Sequence, residues 1–178
     1  MTSREPYAPG PAFGAEVQKD GETWTLVLVR DLRHSPAKVW KALTDPAELR
    51  EWAPFDADRS LGAVGTATLS TVGTPAPVIS DTTIRKADAP NLLEYNWGGF
   101  DMRWKLEAAG RGTRLTLWTN IDRRYISMGA AGWHICFDVL DRFLDGQPIG
   151  RIAGPDAMKA DGFQRLQGEY TKQFKADK

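Results

Sequence analysis

The chain has 178 residues, enough for one domain with a sizeable core, and its 23 basic residues balance 23 acidic ones. A nucleic-acid-binding protein usually shows a basic excess or face, and no Lys/Arg-rich run is present. No apolar run approaches the roughly 18 residues of a membrane span, and the first residues lack a signal-peptide pattern. We therefore expect no nucleic-acid partner, no membrane span and a cytoplasmic location, which the single cysteine also favours.

The first twelve residues are unlike the rest of the chain. They contain three prolines and show no hydrophobic periodicity, so residues 1–12 are predicted to form a flexible N-terminal arm. No internal repeat or low-complexity tract divides the remainder. Residues 13–178 are therefore predicted to form a single domain.

A long strand is predicted for residues 22–33. The turn signal Asp20-Gly21 separates it from a shorter strand at residues 13–17, which indicates a β-hairpin. Both faces of the long strand are apolar in the middle, so it should be central or covered on both sides. Arg30 interrupts one of these faces. It is either a paired, half-buried arginine or a clamp for a ligand carboxylate.

Two short helices should follow this strand. Ser35-Pro36 and Asp45-Pro46 each combine an N-cap residue with a proline at the first helical position. Glu48, three residues after Asp45, completes a capping box. Each helix is shorter than the ~12–15 residues needed for stability in isolation. Both are therefore expected to dock across one end of a sheet.

Short strands separated by turn residues are predicted from residue 62 to residue 121. The candidates are Thr66–Val72, Val78–Ala87, Leu92–Trp97, Asp101–Ala108 and Thr113–Ile121. Alternation is clearest in the last three, which carry apolar residues on one face and charged residues on the other. Such alternation is typical of an antiparallel sheet with one face in solvent. Trp118 is out of phase with the apolar face and is predicted to point outward, where it either stacks on a cation beside Arg114 or marks a dimer contact.

A helix is predicted for residues 132–146. One face is apolar, formed by Trp133, Cys136, Phe137, Leu140, Phe143 and Leu144. The opposite face is polar and is expected to be in solvent; it holds His134, Asp138, Asp141, Arg142 and Asp145. A linker rich in Gly and Pro leads to a last helix with apolar residues at Phe163, Leu166, Tyr170 and Phe174. Strands followed by helices on one face of the sheet indicate the α+β class.

Several of these segments resemble a known family. Pro36-x-x-Val39-Trp40-x-Ala42-Leu43-Thr44-Asp45-Pro46-x-x-Leu49-x-x-Trp52 is similar to the signature of the START-like SRPBCC (Bet v 1-like) superfamily. More narrowly, it resembles the bacterial branch named after the activator of heat-shock-protein-90 ATPase. The resemblance covers roughly residues 13–174. It implies a helix-grip fold: a curved antiparallel sheet around a long C-terminal helix, two short helices after the first long strand, and a cavity between sheet and helix.

We expect that cavity to bind a small hydrophobic molecule, because an apolar pocket with a few polar groups is the default binding site. The residues predicted to line it are Arg30, Trp52, Phe55, Leu69, Tyr95, Trp97, Met102, Trp104, Leu117, Trp133, Phe137 and Leu140. His134 and Cys136 point in different directions from one helix, and His34 is the only other histidine. No catalytic residue, metal or cofactor is therefore predicted.

Three functions are compatible with this pattern. The first is a carrier or sensor of a small hydrophobic molecule, related to stress or metabolism. The second is an enzyme of the polyketide cyclase or aromatase kind, which would need polar catalytic groups inside the cavity. The third is a partner of heat-shock protein 90, but such activators act through an added domain and charged surfaces. We favour the carrier or sensor over an enzyme and expect a monomer or a homodimer.

Overall fold

A curved antiparallel sheet and a long helix form the framework of the protein. The computed structural model describes residues 7–73, 76, 78–153, 155–160 and 162–176. Nine strands lie within these residues: β1 Ala15–Asp20, β2 Thr23–Leu32, β3 Phe55–Ala57, β4 Gly65–Thr71, β5 Val78–Ile84, β6 Lys86–Asp88, β7 Leu92–Trp97, β8 Phe100–Ala109 and β9 Gly112–Asn120. The helices there are α1 Pro36–Thr44, α2 Pro46–Trp52, α3 Ile126–Leu144, α4 Pro155–Met158 and α5 Phe163–Ala176. This α+β architecture confirms the predicted fold class.

The strands pair only with antiparallel neighbours. Six follow the order β1-β2-β9-β8-β7-β6, and β3-β4-β5 form a second ladder. A 2.9 Å hydrogen bond from the Arg85 backbone N–H to the Glu94 carbonyl lies where the two ladders meet. Across the larger sheet, Leu28 lies opposite Leu117, and Leu117 lies opposite Trp104. All three are at most 2% exposed, so this row belongs to the concave, buried face.

Local sequence signals place the first elements. Gly21 takes a positive φ of 61° at the β1–β2 turn, a conformation that suits glycine. The side chains of Ser35 and Asp45 accept hydrogen bonds from backbone N–H groups at the start of α1 and α2, at 3.2 and 2.8 Å. Both predicted N-caps are therefore confirmed. No helix in the described part of the chain is long and apolar enough to cross a membrane.

Helix α3 is covered on two sides. It begins at Ile126, ahead of the predicted start at Gly132, and ends at Leu144 as the Gly146 signal indicates. One side faces the sheet, and α5 packs against another. His134 is only 2% exposed as a result, so the prediction that it lies on a solvent face is wrong.

Residues 7–13 run across α3 and α5. The Tyr7 hydroxyl donates to the Asp138 carboxylate on α3. The Ala12 N–H donates to Glu169 on α5 at 3.0 Å, and the Tyr170 hydroxyl donates to the Phe13 carbonyl at 3.0 Å. The predicted arm spans residues 1–12, and residues 1–6 of it lie outside the described residues. Within the described part, this segment joins the two C-terminal helices to the sheet.

Candidate ligand-binding pocket

Aromatic rings fill the space between the sheet and the C-terminal half of α3. The ring centroids of Trp52 and Trp104 lie 6.1 Å apart at an interplanar angle of 89°, and those of Trp104 and Phe137 lie 6.1 Å apart. Phe55 and Tyr95 form a similar edge-to-face pair at 6.1 Å. Edge-to-face contacts at these distances are favourable for aromatic pairs.

The polar atoms of these rings have partners. The Trp52 indole N–H donates to the Ala42 carbonyl at 2.9 Å, and the Trp104 N–H donates to the Tyr95 hydroxyl at 3.1 Å. All three side chains are about 1% exposed, and burial raises the pKa of Tyr95. The cavity does not lie among these rings, because they pack against one another in edge-to-face and tilted pairs. Trp52, on α2, is one of these packed rings.

A cavity of about 580 Å³ lies farther along, beside the N-terminal half of α3. Its walls come from the adjoining ends of β7 and β8, the segment between α2 and β3, the end of β9, the first half of α3, and the segment leading through α4 to α5. The lining residues are Pro54, Trp97, Phe100, Thr119, Asn120, Ile121, Asp122, Tyr125, Met128, Gly129, Gly132, Trp133, Cys136, Ala153, Ala157, Met158 and Phe163. Most of these side chains are apolar.

Two glycines on α3 help to create this volume. A Cβ atom added to Gly132 would meet no other atom within 4 Å, so this position faces open space. A Cβ atom on Gly129 would lie 2.5 Å from Cδ1 of Ile121, so this glycine allows close approach of the β9–α3 connection. Glycine inside a helix is less favourable than alanine by roughly 0.5–1 kcal/mol. Two glycines within one helical turn are a sequence signal for a cavity wall, and the apolar periodicity of the helix does not reveal it.

The mouth of the pocket is apolar. Phe100, Tyr125 and Met158 line it and are 40%, 48% and 53% exposed. Large apolar side chains exposed in one place often mark a binding site. Phe100 is the first residue of β8, Tyr125 directly precedes α3, and Met158 is the last residue of α4. The fold therefore brings them together from distant parts of the chain.

Most of the polar side chains of the pocket lie on one wall. Thr119, Asn120, Asp122 and Tyr125 come from a single stretch at the end of β9 and the turn before α3. The Asp122 carboxylate accepts hydrogen bonds from the Arg124 backbone N–H at 2.9 Å and from its guanidinium at 3.1 Å. These bonds hold the pKa of Asp122 below its usual value. Asp122 therefore carries its negative charge at neutral pH and already has a partner.

The only cysteine of the sequence, Cys136, lies on the helical wall of the pocket. Its side chain is buried, and burial raises its pKa to about 12. The thiolate is the reactive form of cysteine, so this group is a neutral thiol of low reactivity at pH 7. It contributes an apolar surface to the wall.

Trp97 and Trp133 are the two predicted site residues that line this pocket. Their ring centroids lie 6.1 Å apart in an edge-to-face arrangement, so they form the boundary between the pocket and the aromatic core. The other ten lie in the buried core and not on the pocket wall: Arg30, Trp52, Phe55, Leu69, Tyr95, Met102, Trp104, Leu117, Phe137 and Leu140. Fifteen lining positions were not predicted, and most of them belong to turns or to small residues.

Arg30 is a paired arginine, which is the first of the two interpretations given for it above. Its Nη1 atom lies 2.7 Å from Asp138 Oδ1, and its guanidinium stacks on the Phe13 ring at 4.7 Å. Arg30 is 8% exposed and the Asp138 side chain is 18% exposed, so the pair is largely shielded from water. Asp138 is therefore part of a buried ion pair, and its predicted place on a solvated face is wrong.

His134 extends this buried cluster. Its Nδ1 atom lies 2.7 Å from the Tyr170 hydroxyl, and its Nε2 atom lies 3.5 Å from Asp138 Oδ2. Burial lowers the pKa of His134, although the Asp138 charge opposes this effect. No group of three or more residues able to hold a metal ion was found within the described residues.

A second cavity, of about 600 Å³, lies beside β4 and β5 and is polar. It is lined by threonines and charged groups, among them Asp58, Asp81 and Arg85. Asp81 accepts a 3.0 Å hydrogen bond from the Thr68 hydroxyl, and Asp58 accepts one from the Thr68 N–H at 2.9 Å. Its polar groups are thus largely engaged with one another.

Trp118 faces away from the concave side of the sheet. It is half-buried, and the Arg103 guanidinium lies 5.1 Å from its ring centroid. Stacking on a cation is therefore confirmed, with Arg103 from β8 as the cation. Arg114 instead pairs with Asp31 at 2.9 Å.

Comparisons with solved structures find the same fold in several bacterial proteins. EF2215 from Enterococcus faecalis matches with a TM-score of 0.65 at 17% identity, covering 89% of each chain. CalU16 from Micromonospora echinospora matches with a TM-score of 0.62 at 20% identity, covering 93% of this chain and 98% of that one. MLL2253 from Mesorhizobium loti matches with a TM-score of 0.59 at 24% identity, covering 68% and 97%. At these identities the likeness concerns the fold alone.

A comparison with curated proteins gave no match. Residues 33–145, more than half of the chain, match the family model described as Activator of Hsp90 ATPase homolog 1-like protein. This stretch runs from the end of β2 to the end of α3 and includes the two short helices whose sequence suggested the resemblance. The chain therefore belongs to the Activator of Hsp90 ATPase homolog 1-like family, within the SRPBCC superfamily.

Proposed function

We propose that this protein binds a small, mainly apolar molecule in the pocket beside the N-terminal half of α3. The observation that carries the proposal is an apolar cavity of about 580 Å³ with Gly132 in its wall facing open space. Pockets for small molecules typically measure about 300–1,000 Å³ and are lined by apolar and aromatic side chains with a few polar groups. The cavity meets both criteria.

The chemistry of the wall favours binding over catalysis. A general acid or base works best with a pKa near the working pH. The Asp122 carboxylate is held anionic by Arg124, and the Cys136 thiol stays neutral because burial raises its pKa. Neither group is poised to exchange a proton near pH 7. A carrier or sensor role therefore fits the pocket better than a cyclase role.

Fluorescence titration with the neutral dye N-phenyl-1-naphthylamine tests this proposal. We expect saturable binding with one dye per chain, increased dye emission and altered tryptophan emission, because Trp97 and Trp133 line the pocket. Gly132→Phe should weaken dye binding at least tenfold by placing a ring in the cavity. Gly168→Phe is the matched control, because Gly168 is also a glycine within a helix, α5, with no atom within 4 Å of its added Cβ, but it is exposed.

The control separates loss of the pocket from loss of the fold. Both variants add the same ring to a helix, so circular dichroism and thermal unfolding should show two folded proteins. Equal dye binding by wild type, Gly132→Phe and Gly168→Phe would place the dye elsewhere. Absence of binding to wild type would contradict the proposal directly.

A further inference from the structure

We propose that the ligand of this pocket is a neutral, mainly apolar molecule with one hydrogen-bond-accepting oxygen, bound at the wall formed by Asn120 and Tyr125. The inference rests on the function proposed above and specifies the class of ligand. It follows from how the polar groups of the wall are already used.

The orientation of the Asn120 amide is set by the neighbouring strand. Its Oδ1 atom accepts a hydrogen bond from the Asp101 backbone N–H, which assigns the acceptor end of the amide to β8. The donor end, Nδ2, has no hydrogen-bond partner among the described residues. Asn120 is half-buried and lines the pocket, so a ligand that covers it removes water from Nδ2. A buried donor without an acceptor is unfavourable, so the ligand should supply one.

Tyr125 supplies a second donor on the same wall. Its hydroxyl also has no hydrogen-bond partner within the described part of the chain, and its ring stacks against the Arg124 guanidinium at 5.5 Å from the centroid. The stacking holds the ring at the mouth of the pocket. A phenol can donate one hydrogen bond, so Tyr125, like Asn120, can serve an acceptor oxygen such as a ketone.

The charge of the wall favours a neutral ligand. Asp122 is the one charged residue among the described residues that line the pocket, and it is negative. Arg124 is engaged with Asp122, and Arg123 stacks on Trp24 at 5.7 Å, away from the lining residues. An anionic ligand would therefore find a carboxylate and no unpaired cation on this wall. A cationic ligand would have to compete with Arg124 for Asp122.

The experiment uses two naphthalenes of nearly equal shape. 2-Acetylnaphthalene carries a ketone oxygen, and 2-ethylnaphthalene lacks it. Both are measured by displacement of N-phenyl-1-naphthylamine from wild type, Asn120→Asp and Tyr125→Phe. Asn120→Asp keeps the oxygen that Asp101 requires and removes the amide donor, and Tyr125→Phe removes one hydroxyl.

We expect each variant to bind 2-acetylnaphthalene about three- to tenfold more weakly than wild type, because that is the loss of affinity expected when one hydrogen bond is removed. Binding of 2-ethylnaphthalene should change less than twofold. Asn91→Asp, an exposed asparagine in the turn before β7, is the control for added charge and should leave both affinities unchanged. 2-Naphthoate should bind wild type more weakly than the ketone does.

The outcomes distinguish this inference from the proposed function. If the variants weaken the binding of both naphthalenes equally, or of neither, the wall does not recognise an oxygen and the inference is overturned. Dye binding by wild type would still support the proposed function in that case. Tighter binding of 2-naphthoate than of the ketone would overturn the neutral class. If wild type binds neither dye nor naphthalene, both proposals fail together.

Discussion

The two halves of α3 differ in how completely their side chains fill the space beside the curved sheet. The C-terminal half buries Phe137, Leu140 and Leu144, each at most 2% exposed, against rings from the sheet and α2. The N-terminal half presents Gly129 and Gly132, and a cavity of about 580 Å³ lies beside it. Both halves belong to one helix with continuous apolar character. The comparison teaches that the cavity arises from missing side chains on the helix, since the rings farther along pack edge to face.

The comparison is tested most strongly by removing one tryptophan from each region. Trp104→Ala in the packed core should lower the free energy of unfolding by about 3–5 kcal/mol, the range for large aromatic truncations. Trp133→Ala should cost less, because Trp133 is 9% exposed and one side of it faces the cavity. Urea unfolding followed by circular dichroism measures both. An equal or larger loss for Trp133→Ala would mean that the pocket wall is packed as tightly as the core.

The second prediction concerns the polar side of α3, which the sequence pattern assigned to solvent. Asp138→Ala removes the carboxylate that pairs with Arg30, which is only 8% exposed. Removing one member of a buried ion pair is strongly destabilising, because the other charge stays buried without a partner. We expect a loss of about 3 kcal/mol in urea unfolding. Asp31→Ala is the control: it breaks the surface pair with Arg114, and its effect should lie within experimental error. Equal effects of the two changes would show that the Arg30 pair is open to water.

The third prediction is a dependence of stability on pH through His134. Burial lowers its pKa in the folded state, so below about pH 6.5 the unfolded chain binds a proton that the folded protein does not. Stability should therefore fall as the pH drops through this value, with a slope of at most about 1.4 kcal/mol per pH unit for this one group.

Comparing wild type with His134→Gln isolates this contribution. His34 remains in both proteins, so the difference between their unfolding free energies at pH 5.5 and pH 7.5 reports on His134. The variant should lose less stability than wild type between pH 7.5 and pH 5.5. A greater loss in the variant would mean that Asp138 outweighs burial and raises the pKa of His134.

The smallest predicted effect returns to the glycines. Gly132→Ala should raise the free energy of unfolding by about 0.5–1 kcal/mol, because the added methyl group meets open space and alanine favours the helix. Gly168→Ala on α5 should give a similar gain. Gly129→Ala should give less or none, because its Cβ would lie 2.5 Å from Ile121 Cδ1. Thermal unfolding of the three variants measures this order, and a loss for Gly132→Ala would mean that the space beside it is already filled.

Short-range signals allowed most of the fold to be predicted. The N-caps at Ser35 and Asp45 and the turn at Gly21 depend on neighbouring residues alone, and each lies where it was predicted. Alternation along β7, β8 and β9 identified the buried face, since a strand side chain points to one face or the other. The start of α3 was missed because Gly129 and Gly132 weaken the helical pattern of its first turns.

The pocket was harder to predict, for a physical reason. Periodicity identifies which side chains are buried, but it does not show whether they pack against other side chains or line a cavity. Trp97 and Trp133 were identified because large rings stand out, whereas Gly132 and Ala157 shape the pocket by being small. Periodicity also gives one buried face for a helix that two layers cover, so His134 was assigned to solvent. The position of α5 decides that question, and it depends on contacts between distant residues.

Because Cys136 lies on the pocket wall, its rate of chemical modification can report on whether the pocket is occupied. Burial raises the pKa of Cys136, so very little of its thiol is ionised at pH 7 and thiol reagents should react with it very slowly. The reagent must also enter the cavity to reach the sulfur, so reaction proceeds only while the cavity is vacant. The rate at which the sole cysteine is modified by a neutral apolar reagent therefore measures the fraction of time the pocket stands empty. A molecule that slows this modification without changing the rate of global unfolding therefore binds in the pocket. The assay does not require that molecule to be coloured or fluorescent.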